Sequence, residues 1–130
     1  MGIAQGQVDA EGLIATIVAD KIQSAEDIGP VAIAVQIGST LLQRPAGGKG
    51  LLLGGLPAAE RGRVVVIGAG QAGSNAARVA AALGAEVKVF ERKRERMAKI
   101  QELGHNVTAL YPYHESLAKA VAGADLLVGA

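Results

Sequence analysis

The chain has 130 residues, half of them apolar and only 2% aromatic, with a formal net charge of +1 and no cysteine. That length suits one domain with a real core. The near-neutral charge gives no electrostatic reason to expect nucleic acid or a membrane surface as partner, and the missing cysteines exclude disulfides and thiolate chemistry. Nothing at the amino end has the form of a signal peptide, and no apolar run approaches membrane-spanning length, so a cytoplasmic protein is expected.

Leu13, Ile14, Ile17, Val18 and Ile22 recur at helical spacing and predict an amphipathic helix from about Ala10 to Ser24. Ser24-x-x-Asp27 and Pro30 read as a start signal for a second helix running to about Leu42. Val31, Ile33, Val35 and Ile37 also fit a strand period, but the alanines favour helix. Residues 1–44 are therefore expected to form an amino-terminal helical segment, serving as an interface or interdomain helix. The segment Pro45-Ala-Gly-Gly-Lys-Gly50 reads as a loop, Leu51–Leu53 as a short strand, and Gly54-Gly-Leu-Pro-Ala58 as a turn into the second part of the chain, residues 45–130.

The most informative stretch follows: Arg63-Val-Val-Val-Ile-Gly-Ala-Gly-Gln-Ala-Gly73, an apolar run that breaks into glycines spaced G-x-G-x-x-G at Gly68, Gly70 and Gly73. This predicts a strand turning into a helix around a phosphate. The first glycine permits the tight turn, the second leaves room for a pyrophosphate against the backbone, and the third lets the helix pack closely on the strand. Gln71 and Ala72, in the first helical turn, contribute N–H groups at the positive end of the helix dipole. A second apolar run, Glu86-Val-Lys-Val-Phe90, delivers Glu91 roughly 20 residues on, where a carboxylate can accept ribose hydroxyls.

The remaining elements alternate regularly. Helices are predicted at about 71–83, 94–103 and 114–122, stopped by Gly84, Gly104 and Gly123, each suited to a left-handed residue after a helix. Strands are predicted at 63–68, 86–90, 106–110 and 125–128. Right-handed crossovers place the strands in the order 3-2-1-4, a partial doubly wound parallel α/β sheet of Rossmann type with amino-terminal helices. The strands of the second half of such a fold are not found. The fourth strand should then expose an unpaired edge, and together with the apolar amino-terminal stripe this predicts a homodimer or higher homo-oligomer.

Three segments together carry a resemblance. Gly47-Gly-Lys-Gly-Leu-Leu-Leu-Gly-Gly-Leu-Pro57, Val64 to Arg78 with the glycine motif, and Ala124-Asp-Leu-Leu-Val-Gly-Ala130 resemble the cofactor domain of the alanine dehydrogenase and transhydrogenase family, over roughly residues 34–130. The resemblance implies NAD(H) as cofactor and, in a complete enzyme, interconversion of L-alanine with pyruvate and ammonia. It places Glu91 at the family's ribose-binding aspartate and Arg96 at a basic residue near the adenosine. Two departures stand out: Pro112 occupies the place of a serine beside the adenosine, and the family's hinge signature is not recognisable before Val35. The family's catalytic lysine and histidine belong to a substrate domain that has no counterpart here, so the chain alone is expected to be inactive.

The expected site is thus Gly68, Gly70, Gln71, Ala72, Gly73, Glu91, Arg92 and Arg96, with no catalytic residue and no metal. Arg92 or Lys93 lies where a 2′-phosphate would fall, which leaves NADP open, although Glu91 would repel such a group. His105 and His114 read as turn and cap residues. Tyr111 and Tyr113 either border the ligand edge or cover core. A nucleotide-responsive regulatory module, a flavin-binding half-domain and a structural remnant remain alternatives.

Overall fold

The structure, a computed structural model, describes residues 4–8, 15–19, 35–36 and 38–129. Six strands share one sheet: β1 (Ala4–Val8), β2 (Ala15–Ala19), β3 (Arg63–Ile67), β4 (Glu86–Phe90), β5 (Val107–Leu110) and β6 (Leu126–Gly129), in the spatial order β1-β2-β6-β3-β4-β5. Residues 35–36 and 38–41 are helical and are termed α1. The other helices are α2 (Gln71–Ala82), α3 (Arg94–Gln101) and α4 (His114–Ala122).

Strands β5, β4, β3 and β6 are all parallel and stand in the order 3-2-1-4 expected for this half of a doubly wound sheet. The centre of β3, Val64-Val65-Val66, is buried on both faces. An unbroken apolar run is what such a position demands, because helices close both sides of a parallel sheet. One face buries Val64, Val66, Val87, Val89, Leu126 and Val128 together with Ala72, Ala76, Ala77 and Ala80 of α2. The alanine stripe brings the helix axis close to the sheet, which carries the amino end of α2 up to the tip of β3. On the other face Val65, Phe90 and Ala124 pack with Leu117, Ala120 and Val121 around α4.

The amino-terminal part departs from expectation. The helix predicted from Ala10 to Ser24 is, at residues 15–19, strand β2, so the segment 1–44 is not wholly helical; the other residues of that prediction lie outside the described ones. The segment Ala15-Thr-Ile-Val-Ala19 is rich in β-branched side chains, which fit a pleated surface better than a helix interior. Strand β2 runs parallel to β6, pairing Ala15 with Leu126 through to Val18 with Gly129, and β1 returns antiparallel beside it. The outer edge of β6, predicted to be bare, is therefore covered, and the argument for a homo-oligomer from that edge falls.

Two smaller corrections concern turns. Among the three helix-stopping glycines only Gly84 is left-handed, with φ 93°; Gly123 closes α4 at φ −94°, and Gly104 is not left-handed either. The strand expected at Leu51–Leu53 is a loop whose Leu53 side chain is buried in the core. A 3₁₀ turn at Arg44–Ala46 precedes it. The loop is fastened to the sheet by an ion pair between Lys49 Nζ and Asp125 Oδ1, while Asp125 Oδ2 accepts the Arg63 N–H at 2.8 Å.

Candidate dinucleotide site

The carboxyl edge of β3 and β4 is where the chemistry gathers. β3 ends at Ile67, Gly68 turns the chain at φ 93°, and Gly70 opens α2 in an extended conformation. No side chain caps α2, and its first turn holds no acidic residue. Its first N–H groups therefore have no partner within the helix, and its positive end faces the cleft.

The three glycines have separate reasons to be glycine. A Cβ on Gly73 would stand 1.7 Å from the Gly68 carbonyl oxygen, so close helix packing forbids any side chain. Among the described residues, a Cβ on Gly70 would meet nothing within 4 Å. None of their atoms requires Gly70 to be bare, so its bareness leaves space for a ligand.

Around this opening lies a cleft of about 300 Å³ lined by Ala69, Gly70, Gln71, Ser74, Asn75, Arg96 and Lys99. Of the expected site residues, Gly70, Gln71 and Arg96 line the cleft directly. Gly68 and Gly73 shape the turn, Ala72 is buried in the core behind it, and Arg92 is exposed without lining the cleft. Lys99 and Asn75 were not singled out from sequence. Lys99 sits one helical turn beyond Arg96 on α3, and that spacing is the signal that could have found it.

Glu91 is 7% exposed, and its carboxylate is held by backbone. Oε2 accepts the Ala69 N–H at 2.9 Å, and Oε1 accepts the N–H groups of Arg92 at 2.8 Å and Lys93 at 3.1 Å. Arg96 Nη1 stands 3.6 Å from Oε2. Burial is the largest single influence on this carboxyl and would raise its pKa. The three N–H donors and the Arg96 guanidinium together outweigh it and hold the pKa below the ordinary value. The Ser74 hydroxyl completes the brace by donating to the Ala69 carbonyl oxygen at 2.9 Å. Ala69, between the first two glycines, is thus held at both its N–H and its C=O. No described helix is long and apolar enough to cross a membrane.

Comparison with known proteins agrees with this architecture. The profile described as "Alanine dehydrogenase/PNT, C-terminal domain" matches residues 34–130. The chain is 43% identical over 99 residues to alanine dehydrogenase of Geobacillus stearothermophilus, covering 75% of this chain and 27% of that one. It is 42% identical over 97 residues to alanine dehydrogenase of Bacillus subtilis, covering 74% and 26%. A solved L-alanine dehydrogenase superposes with a TM-score of 0.72 at 42% identity, over 77% of this chain and 28% of the other. The chain spans about a quarter of the length of these relatives. On its matched residues and its strand order alike, the chain belongs to the alanine dehydrogenase/PNT family, in which residues 34–130 correspond to the C-terminal domain.

Proposed function

We propose that this domain binds NAD(H), with the pyrophosphate on the Gly70 backbone and the amino end of α2, and the adenosine ribose beside Glu91, Arg92 and Arg96. The observation that carries this reading is the open space over Gly70, a position that no contact among the described residues constrains. It stands at the amino end of α2, where a pyrophosphate with its two negative charges gains both N–H donors and the dipole. Family membership supports NAD(H) as the ligand.

Glu91 has room for one further donor, since a carboxylate offers about four acceptor positions and three N–H groups are already bound. We place one ribose hydroxyl there. The cofactor domain would serve an alanine dehydrogenase-like oxidoreductase. NAD supplies hydride acceptance when bound; the residues here orient its adenosine and pyrophosphate, and the groups that hold an amino acid against the nicotinamide are not among those identified.

Titration calorimetry with NADH, NADPH and ADP tests the reading. NADH and ADP should bind, and NADH more tightly than NADPH. Tighter binding of NADPH would overturn the ribose assignment, and no heat with any of them would overturn the function.

A further inference from the structure

The chain has only three aromatic side chains, and two of them are spent in an unexpected place. Phe90 is buried in the core, whereas Tyr111 and Tyr113 are 44% and 67% exposed. The two tyrosine rings stand together, with centroids 4.8 Å apart and planes tilted by 48°. Their arrangement is set by the backbone: the Tyr113 N–H donates to the Tyr111 carbonyl oxygen at 2.8 Å, a tight turn around Pro112. Exposed aromatic rings forfeit the burial that would otherwise favour their area, and tyrosine is enriched at interfaces, where its apolar face meets a partner while its hydroxyl stays wet.

Their position gives the partner. Phe90 pairs with Leu110 in the parallel β4–β5 ladder, and the Glu91 N–H donates to the Leu110 carbonyl oxygen at 2.9 Å. Tyr111 therefore follows β5 directly, as Glu91 follows β4, at the same carboxyl edge of the sheet. A ribose held by Glu91 carries its base outward from that edge.

We propose that Tyr111 and Tyr113 form a stacking wall for the base of the bound nucleotide, so that this site holds the base by its aromatic face. The inference rests on the NAD(H) reading above. A base lying on one ring exchanges solvent for π contact without needing a hydrogen bond from the protein, and Pro112 between the two tyrosines has no N–H to offer one. Such stacking tolerates changes of edge groups and fails when the ring is truncated.

The chain lacks tryptophan and these are its only tyrosines, so tyrosine emission reports this wall alone. The test combines that emission with calorimetry, using NADH, ADP and inorganic pyrophosphate, with a free tyrosine amide as the absorption control. NADH and ADP should quench emission as they bind, and pyrophosphate should bind without quenching. Tyr113→Ala should weaken ADP binding about tenfold, leave pyrophosphate binding unchanged and keep the parent melting temperature; Tyr113→Phe should restore ADP binding. If NADH gives binding heat while emission is unchanged and Tyr113→Ala binds ADP as the parent does, the wall is refuted and the NAD(H) reading stands. If neither NADH nor ADP gives heat, the NAD(H) reading fails and the wall fails with it.

Discussion

The Glu91 carboxylate holds the Ala69 N–H at 2.9 Å across a sequence separation of 22 residues, tying the loop after β3 to the end of β4. The glycine turn is thereby shaped before any phosphate arrives. Glu91→Gln keeps the size but replaces one acceptor oxygen by a donor, leaving at least one buried N–H facing an NH₂ group. Such a mismatch costs about 1–3 kcal/mol, or a melting temperature lower by about 3–10 °C in a domain of this size. NADH affinity should fall about tenfold with it. An unchanged melting curve would show that the brace contributes nothing.

The same carboxyl makes stability depend on pH in a fixed direction. Its pKa is lowered in the folded state, so between the folded value and the ordinary 4.5 the unfolded chain binds more protons. The contribution is fully present above pH 4.5 and is lost as pH falls through the lowered folded value. Denaturant midpoints measured from pH 6 downward should decline less steeply in Glu91→Gln than in the parent. Parallel declines would remove Glu91 from the acid response.

Gly70 and Gly73 should respond to substitution in opposite ways. Gly70→Val fills open space and should fold with a near-parental melting temperature while losing detectable NADH binding in calorimetry. Gly73→Ala drives its Cβ against the Gly68 carbonyl oxygen, where no side-chain movement relieves the clash. It should cost about 3 kcal/mol. A Gly70→Val protein that bound NADH as the parent does would make the motif structural only.

The glycine motif, Glu91 and the four parallel strands were legible because each rests on local signals: five-residue apolar runs, glycines at fixed offsets, and a carboxylate directly after a strand. The brace was not legible, because the donors to Glu91 are backbone groups whose directions exist only once the turn is formed. The tyrosines could be read either way, since their exposure depends on what covers the end of β5. Ala15–Ala19 misled for a different reason. Ile14, Ile17 and Val18 satisfy a helical period, and only the open edge of β6 at the far end of the sequence decides for a strand.

The Lys49–Asp125 pair should matter more than an exposed ion pair, because the Asp125 carboxylate is buried beneath the glycine-rich loop. Lys49→Met leaves Oδ1 without its cation while Oδ2 keeps the Arg63 N–H. The expected cost is about 1–3 kcal/mol, below that of a fully buried pair since Lys49 is partly solvated. A urea titration with an unshifted midpoint would refute this.

Ile17→Pro tests the pairing of β2 with β6. Proline removes a backbone donor from a strand flanked on both sides, and should free the β6 edge for other strands. Light scattering should give a larger average mass for the variant than for the parent at the same concentration. Equal masses would mean that β2 does not shield that edge.

Because β2 and β6 are neighbours, the sheet joins an early part of the described chain to its latest: Ala15 lies opposite Leu126. Parallel pairing across so long a separation closes a large loop before it yields any contact, which slows folding. Synthesis from the amino end brings out the β1–β2 hairpin first, well before the strand it must lie beside exists. The helices and strands from β3 to β5 can dock as they emerge, but the hairpin has to wait for β6. The final sheet contact therefore forms only once almost all of the described sequence has left the ribosome, and until then the edge of β2 that faces β6 stays unpaired.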